Sequence, residues 1–187
     1  GLHQIGDSIV FDAVYRGSDA TLFTYSFATS NLVELNSNIL APGHSLEPVS
    51  NGNTIWFDCV LASTGMELCQ TDGTPMGTHL TVDLMQGVSS SLPKALMYTD
   101  STLFVLAKGI DETGTDSGHA LWAIDNQVAS VAFDPYTGIG NDSSAGSYGG
   151  LIASPTHVFF IADDGTHGHE LHQYLLPSVQ DEWVVWS

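Results

Sequence analysis

The sequence predicts an all-β fold, a β-propeller of four four-stranded antiparallel blades. A hairpin of two apolar, alternating strands joined by a polar turn occurs four times, at a spacing of about fifty residues. No segment keeps a helical period for ten or more residues, and 19 Gly and 7 Pro separate the strands. Short strands repeated with a period of about 40 to 50 residues are typical of propeller blades.

The four hairpins align on a Phe in the first strand and on a Leu in the second. They read "IVFDAVYRGSDATLFTYS", "IWFDCVLASTGMELCQTD", "LFVLAKGIDETGTDSGHALWAID" and "FFIADDGTHGHELHQY". The Phe positions are 11, 57, 104 and 160, and the Leu positions are 22, 68, 121 and 171. The third hairpin carries an insertion in its turn, which lengthens its spacing.

Each hairpin has a candidate strand before it and another after it, which gives four strands per unit. The preceding strands are Leu2 to Ile5, Leu46 to Val49, Ala95 to Tyr98 and Leu151 to Ala153. The following strands are "NLVEL", "HLTVDL", "QVASVAF" and "EWVVW". We therefore expect a single propeller-like repeat domain over residues 1–187, with blades at approximately 1–40, 41–88, 89–134 and 146–187. The four blades form either a closed ring or an arc of a larger propeller.

One pair of positions in the two central strands predicts a disulfide. Residues ten apart pair as Ala13 with Phe23, Cys59 with Cys69, and Ala162 with His172, so the two cysteines replace a small residue facing a ring. Leu106 and Trp122 are the expected pair of the third hairpin. A disulfide between Cys59 and Cys69 would close a short loop, would be worth roughly 2 to 3 kcal/mol, and would indicate an oxidising compartment. The alternative is a pair of reduced thiols in the core.

The charge balance excludes several classes of partner. Asp and Glu number 21 against 3 Lys plus Arg, for a formal net charge of -18. Such a surface repels nucleic-acid phosphates and anionic lipids and favours cations as counter-partners. No apolar run approaches the roughly 18 residues of a membrane span, so we expect no membrane insertion.

The stretch "MELCQTDGTPMGTHLTVDL" resembles the ELWxxDGT repeat, which occurs in tandem in secreted and surface proteins of bacteria and archaea. The second copy matches at Glu67, Leu68, Asp72, Gly73, Thr74, Gly77 and Thr78, with Cys69 in place of Trp. The fourth matches at Phe159, Phe160, Ala162, Asp163, Asp164, Gly165, Gly168, Glu170 and Leu171, with His172 in place of Trp. The third retains Gly118, Leu121 and Trp122. The resemblance implies a propeller-like fold and an extracellular or cell-surface location, and it implies no catalytic residue.

The acidic turns suggest two kinds of metal site, one for zinc and one for calcium. His167 and His169 lie close to Asp163 and Asp164, but zinc needs a further ligand from elsewhere, and His172 fits the position of a packed ring. Calcium accepts oxygen ligands from loosely defined loops, so its candidate ligands are Asp163, Asp164, Asp111 and Asp116. The alternative is that these residues form ordinary hairpin turns.

The function expected from these features is a non-catalytic extracellular scaffold or adhesion module, whose partners are other repeats or subunits of an assembly. A lectin-like propeller that binds glycans is the alternative, because four aromatic residues suit stacking on sugar rings: Trp183, Trp186, Tyr136 and Tyr148. A propeller glycosidase with paired acids is a weaker alternative, since the chain has almost no Arg to hold a charged sugar. Other catalytic signatures are also missing, because the chain carries no nucleophile elbow, phosphate loop or zincin motif. We therefore expect that the protein is not an enzyme.

Overall fold

A computed structural model describes residues 1–14, 20–41 and 46–177. The alternation of apolar and polar residues forms sixteen β-strands in these described ranges. The first nine are β1 (Leu2–Ile5), β2 (Ser8–Val14), β3 (Ala20–Ser26), β4 (Leu32–Glu34), β5 (Leu40–Ala41), β6 (Val49–Ser50), β7 (Ile55–Leu61), β8 (Gly65–Thr71) and β9 (His79–Val82). The others are β10 (Ala95–Thr99), β11 (Thr102–Ile110), β12 (Asp116–Asp125), β13 (Val128–Phe133), β14 (Ile152–Ala153), β15 (His157–Asp163) and β16 (His169–Leu175).

The strands form four consecutive antiparallel units, and the all-β prediction is confirmed. Unit 1 is β1 to β4, unit 2 is β6 to β9, unit 3 is β10 to β13, and unit 4 is β14 to β16. In each unit, neighbouring strands in sequence pair with one another. The short strand β5 pairs with both β3 and β7 and so joins units 1 and 2 into one sheet of nine strands. The predicted last strand "EWVVW" lies outside the described residues.

The two central strands of each unit pair in a register that differs from the predicted one. Phe11 lies opposite Phe23, Phe57 opposite Cys69, and Phe160 opposite His172. The predicted partners Ala13, Cys59 and Ala162 are therefore diagonal neighbours, two positions along. In unit 3, Val105 lies opposite Trp122, so the predicted pair of Leu106 and Trp122 is wrong, and these two side chains lie on opposite faces.

The units pack face to face in chain order. Each unit has one face that carries its aligned Leu, and in units 1, 2 and 4 the aligned Phe lies on the other face. In unit 3, Phe104 lies on the same face as Leu121, so the predicted alignment of Phe104 is wrong, and Trp122 lies on the other face. Leu22 of unit 1 packs with Phe57, Cys59 and Cys69 of unit 2. Leu68 of unit 2 packs with Val105 and Trp122 of unit 3. The third cluster joins Leu121 of unit 3 to Val158, Phe160 and Ala162 of unit 4. The core is thus divided into three apolar layers, each between successive sheets.

In the part of the chain that the structure describes, no helix is long and apolar enough to cross a membrane.

Candidate functional site

The cysteine pair forms the predicted disulfide. Cys59 and Cys69 are joined by a bond between their sulfur atoms, their Cα atoms lie 5.8 Å apart, and both residues are fully buried. The bond links β7 to β8 diagonally, because Cys59 lies opposite Glu67 and Cys69 lies opposite Phe57. It is therefore a covalent part of the apolar layer between units 1 and 2. Its presence is consistent with an oxidising compartment.

The four carboxylates predicted as calcium ligands lie in two separate hairpin turns and accept hydrogen bonds from their own turns. Asp163 accepts a hydrogen bond from the Gly165 amide at 2.6 Å, and Asp164 accepts one from the Thr166 amide at 2.8 Å. Such contacts are those of turn-forming residues, whose side-chain oxygens cap nearby backbone amides. Calcium binding at these turns stays a prediction.

The second acidic turn connects β11 to β12 and has the same character. Asp111 accepts hydrogen bonds from the Thr113 hydroxyl and the Thr115 amide at 2.7 and 2.8 Å. The hydrogen bond from Thr113 is the main reason that the pKa of Asp111 lies below its usual value. Asp116 accepts the amide of Gly118 at 2.9 Å. Among the described residues, no three His, Cys, Asp or Glu side chains come close enough together to hold a metal ion.

The three histidines of "HGHELH" do not converge. The exposed ring of His167 donates from Nδ1 to Asp164 at 2.8 Å, which raises the pKa of His167. His169 packs edge-on against Tyr148, with ring centroids 4.4 Å apart. His172 packs in the sheet as predicted, between Phe160 and Phe133, and its Nε2 donates to the carbonyl of Ala162 at 3.2 Å.

The predicted sugar-stacking aromatics fall into two groups. Trp183 and Trp186 lie outside the described residues. Tyr136 and Tyr148 belong to the loop between β13 and β14, and both contact the turn end of unit 4. The ring of Tyr136 lies against Gly165, where an added Cβ would meet its Cε2 at 2.4 Å. Tyr148 packs on His169 and remains 67% exposed.

A half-buried charge cluster holds the loop between β13 and β14 against unit 3. Asp142 accepts hydrogen bonds from His119 Nδ1 at 2.8 Å and from the Ser144 amide at 2.9 Å, and it pairs with Lys108 at 3.1 Å. Burial alone would raise the pKa of Asp142, but these partners hold it well below its usual range. Burial is the main reason that the pKa of His119 lies below its usual value, although Asp142 opposes the shift. His119 is buried and the Asp142 side chain is 36% exposed, so this carboxylate and imidazole pair anchors the loop at the edge of unit 3.

A second buried carboxylate, Glu67, ties unit 2 to the segment that leads into unit 3. Its Oε1 accepts the Ser91 amide at 2.8 Å, and its Oε2 accepts the Leu84 amide at 3.1 Å. The residue is fully buried, and this burial raises the pKa of Glu67 to about 7, although the hydrogen bonds oppose the rise. Glu170 holds the same position in unit 4, opposite Ala162, as Glu67 does opposite Cys59. The recurrence indicates a structural role for this carboxylate.

A polar cleft lies between units 2 and 3. Its volume is about 260 Å³. Trp56 of β7 and Tyr98 of β10 both line it, and their rings stack with centroids 5.2 Å apart and planes 16° from parallel. Leu103 and Ile124 are buried residues that also line the cleft. Its polar lining consists of Asn51, Gln70, Thr81, Ser101, Asp125, Asn126 and Gln127.

The sequence patterns do not predict this cleft. Its aromatic pair comes from two different units, 42 positions apart in the sequence. The signal that points to it is the alternation of β7: Trp56 precedes Phe57, which faces unit 1, and therefore faces unit 3. Only the packing of unit 3 on unit 2 brings Tyr98 to the same place.

A narrower cavity of about 50 Å³ lies at the contact of units 1 and 2. Its lining includes Val10, Leu22, Ile55 and Phe57, with Asp12 and Asp58 among the polar groups. Space of this size admits a few water molecules at most. The cleft between units 2 and 3 is therefore the better candidate for a ligand.

No family model fits the chain, and no curated protein sequence is significantly similar to it.

Proposed function

We propose that the chain is a non-catalytic extracellular scaffold or adhesion module of the propeller type, and that its four units are an arc of a larger ring. The ELWxxDGT-like residues, the period near fifty residues and the four successive antiparallel units support this proposal. A disulfide within the core supports the extracellular location, because such bonds persist in oxidising compartments.

The observation that carries the proposal is the exposure of Leu171. Its counterparts Leu22, Leu68 and Leu121 are buried, each beneath the sheet of the next unit. Leu171 stands at the same position on unit 4 but is 71% exposed. Ile152, on the same face, is also 71% exposed. This apolar face is covered by the next unit in three units and is open in the fourth. Such exposure is typical of an interface with a further unit.

Unit 1 carries the complementary face. Phe11 and Phe23 stack on its outer side with ring centroids 5.9 Å apart. In units 2 and 4, the residues at these positions pack against the preceding unit. In unit 3 the residues that do so are Val105 and Trp122. Leu2 lies opposite Phe11, is on the same face and is exposed.

The occupant that suits both faces is a second copy of the chain. Two copies arranged head to tail would place each Leu171 face on the Phe11 and Phe23 face of the other copy. The result is a closed ring of eight units, within the range of roughly four to eight blades that propellers adopt. The net charge of each copy opposes association, so added salt should favour the dimer by screening.

The test is sedimentation velocity over a wide concentration range at moderate salt. We expect a monomer and dimer equilibrium for the wild-type chain and a monomer for Leu171→Asp. Val128→Asp is the matched control, because Val128 is also 71% exposed but lies on β13 of unit 3. A wild-type chain that stays monomeric at every concentration, or a Val128→Asp variant that dissociates as fully as Leu171→Asp, would contradict the proposal.

A further inference from the structure

We infer that the cleft between units 2 and 3 is a binding site for a neutral saccharide. This site is separate from the open faces of units 1 and 4, so the inference does not depend on whether the ring is completed. The volume of about 260 Å³ lies just below the range of roughly 300 to 1,000 Å³ typical of drug-sized ligands. A single sugar ring or the end of a glycan chain is a ligand of suitable size.

The stacked rings of Trp56 and Tyr98 give the cleft an aromatic surface. Both rings are half-buried, so they are held by packing and yet reach the cleft. Trp56 also packs against the apolar layer between units 2 and 3, which fixes its position. Rigid, amphipathic rings of this kind contact the C–H face of a sugar while losing little side-chain entropy.

The polar groups around the rings are mainly amides and hydroxyls. Amide side chains both donate and accept hydrogen bonds, as the hydroxyl groups of a sugar require. Gln70 is already oriented, because the Thr81 hydroxyl donates to its Oε1 at 3.3 Å. A group oriented before binding loses less conformational freedom when the ligand binds.

Two turns at the cleft carry backbone conformations that are uncommon for their residue types. Asn126 and Gln127 form the two-residue turn between β12 and β13 with φ of 47° and 66°, and Asp100 and Ser101 form the turn between β10 and β11 with φ of 51° and 62°. Glycine is the residue that fits the second position of such turns without strain. The turns keep Ser101 and Gln127 at this position, and both side chains line the cleft. Strain retained at a cleft is typical of a binding site.

The charges of the cleft indicate a neutral ligand and no hydrolysis. Among its described lining residues, Asp125 alone carries a carboxylate, and none is Lys or Arg. Anionic sugars such as sialylated or sulfated glycans would meet no cation here and a chain of net charge -18. Glycoside hydrolysis uses two carboxylates across the scissile bond, so the single carboxylate supports binding of an intact glycan.

The experiment is an NMR titration of the isotope-labelled chain with neutral trisaccharides built from glucose, mannose, galactose or N-acetylglucosamine. We expect at least one of them to shift the Trp56 indole resonance and the side-chain amide resonances of Gln70 and Gln127. A sialylated and a sulfated trisaccharide serve as anionic probes and should leave these resonances unchanged.

Two variants test the location of the site. Trp56→Ala should weaken binding about tenfold or more, as expected for the loss of one stacked ring. Gln127→Gly removes the amide side chain but creates an Asn-Gly pair, which the turn favours, so binding should weaken while the melting temperature holds or rises. Because this variant does not weaken the fold, it remains informative if Trp56→Ala fails to fold.

Phe27→Ala is the control, since Phe27 is an exposed aromatic residue that packs edge-on against Tyr25 of unit 1. It should bind the same trisaccharide as the wild-type chain does. The inference fails if no neutral trisaccharide shifts these resonances, if only the anionic probes do, or if Phe27→Ala abolishes binding while Trp56→Ala and Gln127→Gly retain it.

Discussion

The indole Nε1 of Trp122 donates a hydrogen bond to the carbonyl of Ala107 at 3.0 Å, diagonally across the two central strands of unit 3. In unit 4 the ring of His172 makes the same diagonal contact with Ala162. Cys59 and Cys69 occupy the equivalent positions of unit 2 and are joined covalently. One diagonal of the hairpin is therefore closed in three units by two kinds of chemistry, a ring hydrogen bond and a disulfide.

Removal of the disulfide tests the contribution of this diagonal to stability. The Cys59→Ala and Cys69→Ala double variant should lose about 2 to 3 kcal/mol of the free energy of unfolding, because the bond restricts a short loop of the unfolded chain. Urea unfolding monitored by tryptophan fluorescence measures this difference. A reductant should destabilise the wild-type chain by a similar amount and leave the double variant unchanged. Equal sensitivity of both proteins to the reductant would refute the explanation.

The hairpins themselves could be predicted from sequence, but their register could not. Strand alternation has a period of two, so a shift of two positions leaves every side chain on its own face. The predicted pairing of Cys59 with Cys69 differs from the observed one by such a shift, and the diagonal still brings the sulfur atoms together. In unit 3, the ladder is irregular between Lys108 and Ile110, and this shifts the register so that Leu106 and Trp122 face opposite ways.

The contacts between units were also beyond sequence reasoning. Alternation shows that Trp56 and Phe57 lie on opposite faces, but it does not show which later strand meets each face. The cleft depends on the contact between the rings of Trp56 and Tyr98, and that contact is set by how units 2 and 3 pack. The acidic turns, in contrast, were recognisable because Asp and Gly act locally on their own backbone.

Gly109 allows the close approach of the Trp122 ring, and its replacement should be costly. A Cβ at this position would lie 2.2 Å from Cζ2 of Trp122, whose ring is buried and hydrogen-bonded. Gly109→Ala should therefore lower the free energy of unfolding by about 1 to 3 kcal/mol through overpacking. Chemical denaturation measures the loss. Gly150→Ala is the matched control, because a Cβ there meets no atom within 4 Å, and it should change stability little.

The buried carboxylate of Glu67 should make stability depend on pH in a defined direction. Its pKa is raised from 4.5 to about 7 in the folded chain, so folding favours the protonated form. Burying the ionised carboxylate costs free energy. This cost is absent below the unfolded pKa of 4.5 and is complete above about pH 7. The change corresponds to about 3 kcal/mol of stability lost as the pH rises through this window.

The comparison that isolates this effect uses Glu67→Gln, which cannot titrate. The free energy of unfolding of the wild-type chain, relative to this variant, should fall by about 3 kcal/mol between pH 4.5 and pH 7, because the other titrating groups cancel. Glu34→Gln removes the same charge from an exposed position on β4 and serves as the control. A constant difference between the wild-type chain and Glu67→Gln across this window would exclude the linkage.

The turn between β10 and β11 should become more stable when its second residue is glycine. Ser101 has a φ of 62°, a conformation that costs a residue with a Cβ about 1 to 2 kcal/mol. Ser101→Gly creates an Asp-Gly pair, the favoured sequence for a two-residue turn with positive φ at both positions. Glycine also raises the entropy of the unfolded chain, which offsets part of this gain. About 1 kcal/mol of added stability should remain. Thermal unfolding of Ser101→Gly and of Ser89→Gly provides the comparison, because Ser89 is exposed and lacks a positive φ. Ser89→Gly should be neutral or slightly less stable than the wild-type chain. A loss of stability in Ser101→Gly would contradict the prediction, because it would show that the Ser101 side chain stabilises the fold by more than its backbone strain costs.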